Sequence, residues 1–232
     1  MTAKPRHFRI FLSSPGDVAA ERALVLQVLD NLRTEPLLRD VLLTLIAWDD
    51  PNSRTPMLAT KTPQQAIDEG LSKPSDCDVV VVIFWSRMGT PLDVDSHGAK
   101  PDGTPYLSGT EWEYLDAVRG AKENRTGYPL IVVYRRTERI ALDPADTLFD
   151  QKLEQWRRVE TFFREFRDPV TGVYKQGFNE YATPEEFRKA FQTDIKVLLN
   201  RLLGEGRTGI HSGTVTTSEP IVLWKGSPFP GL

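Results

Sequence analysis

Two glutamates, Glu111 and Glu113, are separated by a single residue in a segment that reads SGTEWE from Ser108. Ser108 with Glu111, or Thr110 with Glu113, has the spacing of a helix capping box, and carboxylates in a first turn favour the helix dipole. Alternatively, one carboxylate projects into a crevice and stabilises or traps positive charge on a sugar carbon. A cationic leaving group departs neutral without being protonated, so one acid suffices for that chemistry. The sequence leaves both interpretations open, together with the choice between the two glutamates.

A second polar segment, Ser13 to Asp17, follows an apolar run and precedes a helical pattern. Backbone N–H groups at such a turn bind phosphate or ribose oxygens, which makes Ser13 and Ser14 candidate ligand contacts. The segment is not a P-loop, because no Lys-Ser or Lys-Thr pair follows Gly16. It is not a G-x-G-x-x-G loop either. The alternative is an ordinary strand-to-helix turn, with Asp17 as the N-cap of the helix.

Trp85 and Arg87 follow the most apolar run of the chain, 79–85. The indole of Trp85 could stack on a nucleobase, and the guanidinium of Arg87 could clamp a phosphate. The alternatives are a tryptophan that packs on the sheet and an arginine that is solvated.

Motifs for metal binding and for other nucleophiles are incomplete. The segment 93–98 begins like a calcium loop, but Thr104 stands where the last acid should be. The three histidines are scattered, which excludes a zinc site and makes a Ser-His-Asp hydrolase a poor interpretation. Cys77 has no nearby base and is interpreted as a strand-edge residue. We therefore expect no metal and no cofactor.

Composition sets the class of protein. The chain has 232 residues, 40% hydrophobic, and a net charge of −3, which fits a globular domain and does not suggest direct nucleic-acid binding. A single cysteine fits a reducing, cytoplasmic setting. The longest apolar run is far shorter than the roughly 20 residues of a membrane helix, so no membrane association is expected.

The elements that must position these residues alternate between apolar runs and helical patterns. Residues 7–12, 41–48, 78–85 and 129–134 predict strands, and residues 18–33, 62–71 and about 108–123 predict helices. This pattern predicts an α/β, doubly wound, flavodoxin-like parallel sheet of four or five strands, with the order 2-1-3-4 for the four visible ones. The carboxyl ends of strands one and three would then bring the candidate residues together, with Asp49 and Asp50 on the flank.

Beyond the α/β domain, 1–146, two aromatic and aliphatic stripes predict a helical extension over 147–203. Residues 183–186, which read TPEE, are a typical helix start. Residues 204–232 are rich in Gly, Ser and Thr at first and predict a flexible linker.

The segments 11–17 and 21–22, which read FLSSPGD and ER, resemble the opening of a TIR-like domain of unknown function that precedes STAND-type signalling ATPases. Further matches are Pro-Gln at 63–64, Asp78, and Arg-Met-Gly at 87–89. The run TEWE at 110–113 is similar to the third helix of that family. The run GTEWE at 109–113 is similar to the Gly-Thr-x-x-Glu segment of nucleoside deoxyribosyltransferases. The final residues, 224–232, look like the segment that leads into the ATPase of such proteins.

The resemblance implies an effector domain of a prokaryotic immune sensor that hydrolyses the N-glycosidic bond of NAD or a related nucleotide. It implies Glu113 as the catalytic carboxylate, with NAD as substrate. Ser13, Ser14, Trp85, Arg87 and Thr110 are the expected substrate contacts. It also implies that activity needs self-association driven by a C-terminal ATPase and sensor region, absent from this chain, in the cytoplasm.

Two rival hypotheses remain. The first is a non-catalytic TIR-like module that associates through its surfaces, with the helices of 147–203 as one contact region. The second is a nucleoside-processing N-glycosidase. Room for a nucleotide beside Glu113 would favour an enzyme, whereas a crevice filled by Trp85 and Trp112 would favour the scaffold.

Overall fold

The apolar runs form one sheet in the computed structural model, which describes residues 5–47, 72–92, 98–124 and 127–204. The strands are β1 (Arg6–Ser13), β2 (Val41–Ile46), β3 (Val79–Phe84), β4 (Leu130–Arg136) and β5 (Asn179–Tyr181). The helices of these ranges are α1 (Ala19–Arg33), α2 (Gly109–Glu123), α3 (Phe149–Arg164) and α4 (Pro184–Gly204). Short 3-10 turns cover Gly16–Val18, Pro36–Leu38 and Pro74–Asp76.

Several predictions fall outside the described residues. They are the helix at 62–71 with its Pro-Gln pair, the flanking acids Asp49 and Asp50, the calcium-like segment up to 97, and the linker with its final residues, 205–232.

The five strands run parallel in the order β2-β1-β3-β4-β5. The predicted α/β class and the order 2-1-3-4 are confirmed, and the flavodoxin-like sheet has a fifth strand beside β4. The order reverses between β1 and β3, where Ser13 pairs with Val82. In such sheets a ligand crevice lies at the carboxyl ends of the strands beside this reversal.

Alternation along β3 shows why the sheet is covered on both faces. Its side chains are all buried: Val79, Val81 and Ile83 enter one core, and the residues between them enter the other. Helices α1 and α4 supply the first core, whereas α2 and α3 supply the second. A strand buried on both faces reads as a continuous apolar run, which is the pattern seen in the sequence.

Residues 147–203 contribute α3, β5 and most of α4 to this architecture. The predicted helix start is confirmed, because Thr183 Oγ1 accepts a hydrogen bond from the Glu186 N–H at 3.2 Å and the helix begins at Pro184. The first predicted stripe consists of Trp156, Val159, Phe162, Phe163 and Phe166. Its members are buried except for Trp156, which is 37% exposed. In the described residues, no helix combines the length and the apolar character needed to span a bilayer.

Candidate functional site

A serine and a glutamate meet at the carboxyl edge of the sheet. Ser13, the last residue of β1, donates a hydrogen bond from Oγ to Glu113 Oε2 at 2.5 Å. Both residues are buried, with 0% and 8% of their surface exposed. Glu113 lies in the second turn of α2, on the face of the sheet that α2 and α3 cover. The sequence had put both residues in the candidate site, and the structure brings them together.

The other glutamate of the pair caps the helix. Ser108 is the N-cap of α2, and its Oγ accepts a hydrogen bond from the Glu111 N–H at 3.1 Å. Glu111 Oε2 accepts from the Leu107 N–H at 2.6 Å, and its Oε1 pairs with Lys100 Nζ at 2.7 Å. Ser108 therefore caps α2, but the predicted capping box is only half formed, because Glu111 accepts from the Leu107 N–H instead of the Ser108 N–H. Glu111 is nevertheless committed to the helix terminus. Glu113 is the carboxylate that contacts Ser13 at the end of β1.

Asp17 was predicted to be the N-cap of α1, and that prediction is wrong. Its Oδ2 instead accepts hydrogen bonds from the Ser86 N–H and Oγ, both at 2.8 Å, and from the Arg87 N–H at 3.0 Å. The helix begins without a side-chain cap. Three donors outside the helix, one of them a hydroxyl, outcompete the orphan N–H groups for this carboxylate. Asp17 therefore ties the turn after β1 to the loop after β3.

A glutamine that carried no motif signal holds the same loop from its other side. Gln155 of α3 accepts hydrogen bonds through Oε1 from the Met88 and Gly89 N–H groups, at 2.9 and 3.1 Å. Its Nε2 donates to the Gly89 carbonyl at 3.2 Å. Gly89 has φ +109°, and a Cβ there would lie 3.1 Å from Ser108 Cβ and 3.7 Å from Thr110 Oγ1. The loop after β3 is thus pressed against the start of α2.

Arg87 and Thr110 lie on either side of this loop. Arg87 is exposed, and its Nη1 is 4.0 Å from where a Cβ of Gly16 would stand, so the guanidinium reaches over the turn after β1. Thr110 is 7% exposed and lies where the loop meets α2. Of these two candidates, Arg87 is the one accessible to a ligand.

Trp85 is directed to the opposite face of the sheet. It packs against the core that α1 and α4 cover, and its Nε1 donates to the Glu138 carbonyl at 3.1 Å. The Arg136 guanidinium lies 4.1 Å from its ring centroid, which covers one face of the indole. The structure therefore does not bring Trp85 beside Glu113. Ser14 is 5% exposed, and its Oγ has no hydrogen-bond partner among the described residues.

Arg136 also forms an ion pair with a buried acid, Glu21, which the sequence analysis did not identify as a site residue. Its Nη1 pairs with Glu21 Oε1 at 3.1 Å, and Tyr181 donates to the same oxygen at 3.2 Å. Glu21 is fully buried, and within the described part of the chain its Oε2 has no hydrogen-bond partner. Desolvation and the charge of Glu21 raise the pKa of Tyr181 well above its ordinary value. A charge buried in this way needs its partners, so Glu21 has a structural role in the fold.

Cys77 lies at the amino end of β3, away from this edge, and burial raises the pKa of its thiol far above the ordinary value. Within the described ranges, no group of three His, Cys, Asp or Glu side chains is placed to hold a metal.

Comparison with protein-family models and with curated proteins gives no match for this chain. The geometry of the carboxyl edge therefore carries the functional argument.

Proposed function

We propose that this chain hydrolyses the N-glycosidic bond of NAD or a related nucleotide, with Glu113 as the carboxylate that faces the reacting sugar. One observation carries the proposal: a buried glutamate, fixed by a serine hydroxyl, stands at the carboxyl edge of a doubly wound sheet beside the reversal of strand order. The similarity of residues 11–17 and 110–113 to the TIR-like group supports the choice of substrate.

Cleavage of the N-glycosidic bond requires one negative charge close to C1′ of the ribose. As the bond between C1′ and the nicotinamide nitrogen breaks, its electron pair neutralises the pyridinium, and positive charge develops on the ribose. Glu113 would stabilise that charge from a largely buried position, where electrostatic interactions are stronger than in bulk water. A water then adds to C1′ and loses its proton to the solvent. Ser13 acts as a positioning residue because its hydroxyl fixes one carboxylate oxygen.

Arg87 is the group best placed to hold a phosphate, since its guanidinium is accessible and reaches over the turn at Gly16. Ser14 offers an unsatisfied hydroxyl, and Thr110 shapes the start of α2. Trp85 has no part in the proposal, because one face of its ring is covered by Arg136 on the far side of the sheet.

The biological setting follows from the resemblance. We place the domain in the cytoplasm, as the effector of a prokaryotic STAND immune sensor whose ATPase and sensor region drives self-association. Its activity should then rise with protein concentration more steeply than in direct proportion.

The decisive experiment incubates the concentrated chain with NAD and follows free nicotinamide. Glu113→Gln should reduce the rate at least about a hundredfold, because the developing charge loses its counter-charge. The matched control is Glu111→Gln, two residues away, which removes an ion pair at the helix terminus and should keep the rate. Equal rates for wild type and Glu113→Gln would remove the assigned role. Release of a free base from nucleosides but not from NAD would favour the nucleoside-processing alternative.

A second candidate function is a non-catalytic self-association module. The loop between α3 and β5 exposes three hydrophobic side chains: Val170 is 91%, Val173 64% and Tyr174 51% exposed. Exposed hydrophobic side chains that form a contiguous patch often mark a partner surface, which is the reason to test these positions. Sedimentation of Val170→Ser/Val173→Ser beside wild type tests this function, which predicts fewer oligomers in the variant and no NAD turnover in either protein.

A further inference from the structure

A cavity of about 460 Å³ opens at the carboxyl edge of the sheet, between the loop after β3, the loop after β4 and the first turns of α3. Its volume lies within the range of small-molecule sites. The residues that give the wall its chemistry are Arg87, Ile140, Ala141, Leu142, Leu148 and Gln151.

Arg87 makes the cavity attractive to an anion. Its guanidinium is accessible and has no ion-pair or hydrogen-bond partner among the described residues. The second cation of the wall, Lys152, is already paired with Asp146. The described lining residues include no carboxylate. A free guanidinium binds a phosphate through two parallel hydrogen bonds, so this charge selects a phosphate-bearing ligand.

The opposite part of the wall is apolar. Ile140 and Leu142 are half-buried, and Leu148 is 51% exposed at the mouth of the cavity. A flat ring laid against these side chains would remove their surface from water. The exposed amide of Gln151 can both donate and accept a hydrogen bond at the edge of such a ring.

The backbone that carries Arg87 is fixed in advance. Asp17 holds the Ser86 and Arg87 N–H groups, and Gln155 holds those of Met88 and Gly89. A ligand therefore meets a preorganised loop and does not have to order it on binding.

We propose that this cavity binds a phosphate ester of a flat ring compound, of the size of a nucleoside monophosphate, with its phosphate on Arg87 and its ring against Ile140, Leu142 and Leu148. The inference does not require bond cleavage, because Glu113 contacts Ser13 at the end of β1 and is not part of the cavity wall.

The test titrates the 232-residue chain with AMP, adenosine and inorganic phosphate by calorimetry. AMP should bind about tenfold or more tightly than either fragment, because only AMP uses both the guanidinium and the apolar wall. Chemical shifts of the Ile140 and Leu148 methyl groups should move with the AMP titration.

Three variants locate the site. Ala141→Trp fills the cavity and should weaken AMP binding by about tenfold or more, whereas Ala145→Trp, at an exposed alanine of the same loop, should bind AMP like wild type. Arg87→Gln should weaken AMP binding by about tenfold or more and leave adenosine binding unchanged. Glu113→Gln should bind AMP normally, which separates this inference from the proposed hydrolysis.

Absence of AMP binding at millimolar concentration would overturn the proposal. Equal AMP affinity in the Ala141→Trp and Ala145→Trp variants would also overturn it. Both tryptophan variants should unfold at the same temperature as wild type, which shows that a loss of binding comes from the filled cavity.

Discussion

The Ser13 hydroxyl donates a hydrogen bond to Glu113 Oε2 at 2.5 Å, across 100 positions of the chain. The bond joins the last residue of β1 to the second turn of α2, and both ends are buried. It holds one oxygen of a buried carboxylate in place at the edge of the sheet where ligands bind.

Replacing Ser13 by alanine should therefore affect both stability and activity. Ser13→Ala leaves a buried carboxylate oxygen without this donor and should lower the free energy of unfolding by about 1–3 kcal/mol. The proposed NAD hydrolysis should slow by about 10- to 100-fold, because this hydrogen bond orients the reacting carboxylate. Ser14→Ala is the stability control: its Oγ has no hydrogen-bond partner, so its loss should change the unfolding free energy by less than about 0.5 kcal/mol. Equal destabilisation by the two substitutions would contradict this assignment.

Removal of Asp17 should loosen the loop that carries Arg87. Asp17→Ala deprives the Ser86 and Arg87 N–H groups of their acceptor and should cost about 1–3 kcal/mol in chemical denaturation. Asp17→Asn keeps an acceptor oxygen and should recover part of the loss. Asp30→Ala, which breaks an exposed pair with Arg33 on the same helix, should cost less than about 1 kcal/mol. If Asp17 acted as a helix cap only, Asp17→Ala would leave AMP affinity unchanged, whereas we expect it to fall.

Gly89 is required by both its backbone angle and its neighbours. Gly89→Ala places a Cβ at φ +109° and 3.1 Å from Ser108 Cβ, and should lower the unfolding free energy by about 2–4 kcal/mol. Gly103 has φ +83°, but a Cβ there would meet no described atom within 4 Å beyond its chain neighbours. Gly103→Ala should therefore lower the free energy of unfolding by only about 1 kcal/mol. Equal costs in thermal unfolding would show that the contact with Ser108 has no energetic weight.

Alkaline pH should destabilise the fold through its buried tyrosines. Desolvation, followed by the charge of Glu165, raises the pKa of Tyr114 from 10.0 to about 12, and burial also raises the pKa of Tyr134 and Tyr181. A raised folded-state pKa favours the neutral form, so this stability is complete below about pH 10 and is lost as the pH rises through about 12. Unfolding temperatures measured across this interval should fall steeply.

Tyr134→Phe should flatten this pH dependence, because it removes one buried hydroxyl whose ionisation opposes folding. A profile that is unchanged in Tyr134→Phe would contradict the assignment.

The main strands could be predicted because each contains a run of mostly apolar residues, and β3, which is buried along its whole length, is the clearest case. The fifth strand could not, since Asn179 and Glu180 are exposed and the element has only three residues. It is defined by backbone pairing with β4 and by the Thr137 N–H donating to the Tyr181 carbonyl at 2.7 Å. Side-chain patterns carry no signal for a strand of this kind.

Within the site, local spacing left some roles open and misled on others. The spacing allowed two capping boxes, Ser108 with Glu111 and Thr110 with Glu113, and the structure has Ser108 accepting from the Glu111 N–H while Glu113 contacts Ser13. Asp17 had the position of a cap but found its donors 69 positions away, a relationship that helix rules do not contain. Strand alternation in β3 carries the signal for Trp85: Phe84 faces α2 and α3, so the next residue faces away from Glu113.

The pairing of β5 with β4 bears on how the protein can be cut. A chain ending at residue 146 would lose β5, and with it the neighbour of Tyr134 to Arg136. It would also lose α3 and α4. The aromatic side chains of these helices, among them Phe162 and Phe187, cover the two cores. The bare β4 edge and uncovered valines would promote aggregation. The shortest fragment worth expressing therefore extends through Gly204, and limited proteolysis should spare every described element up to that residue.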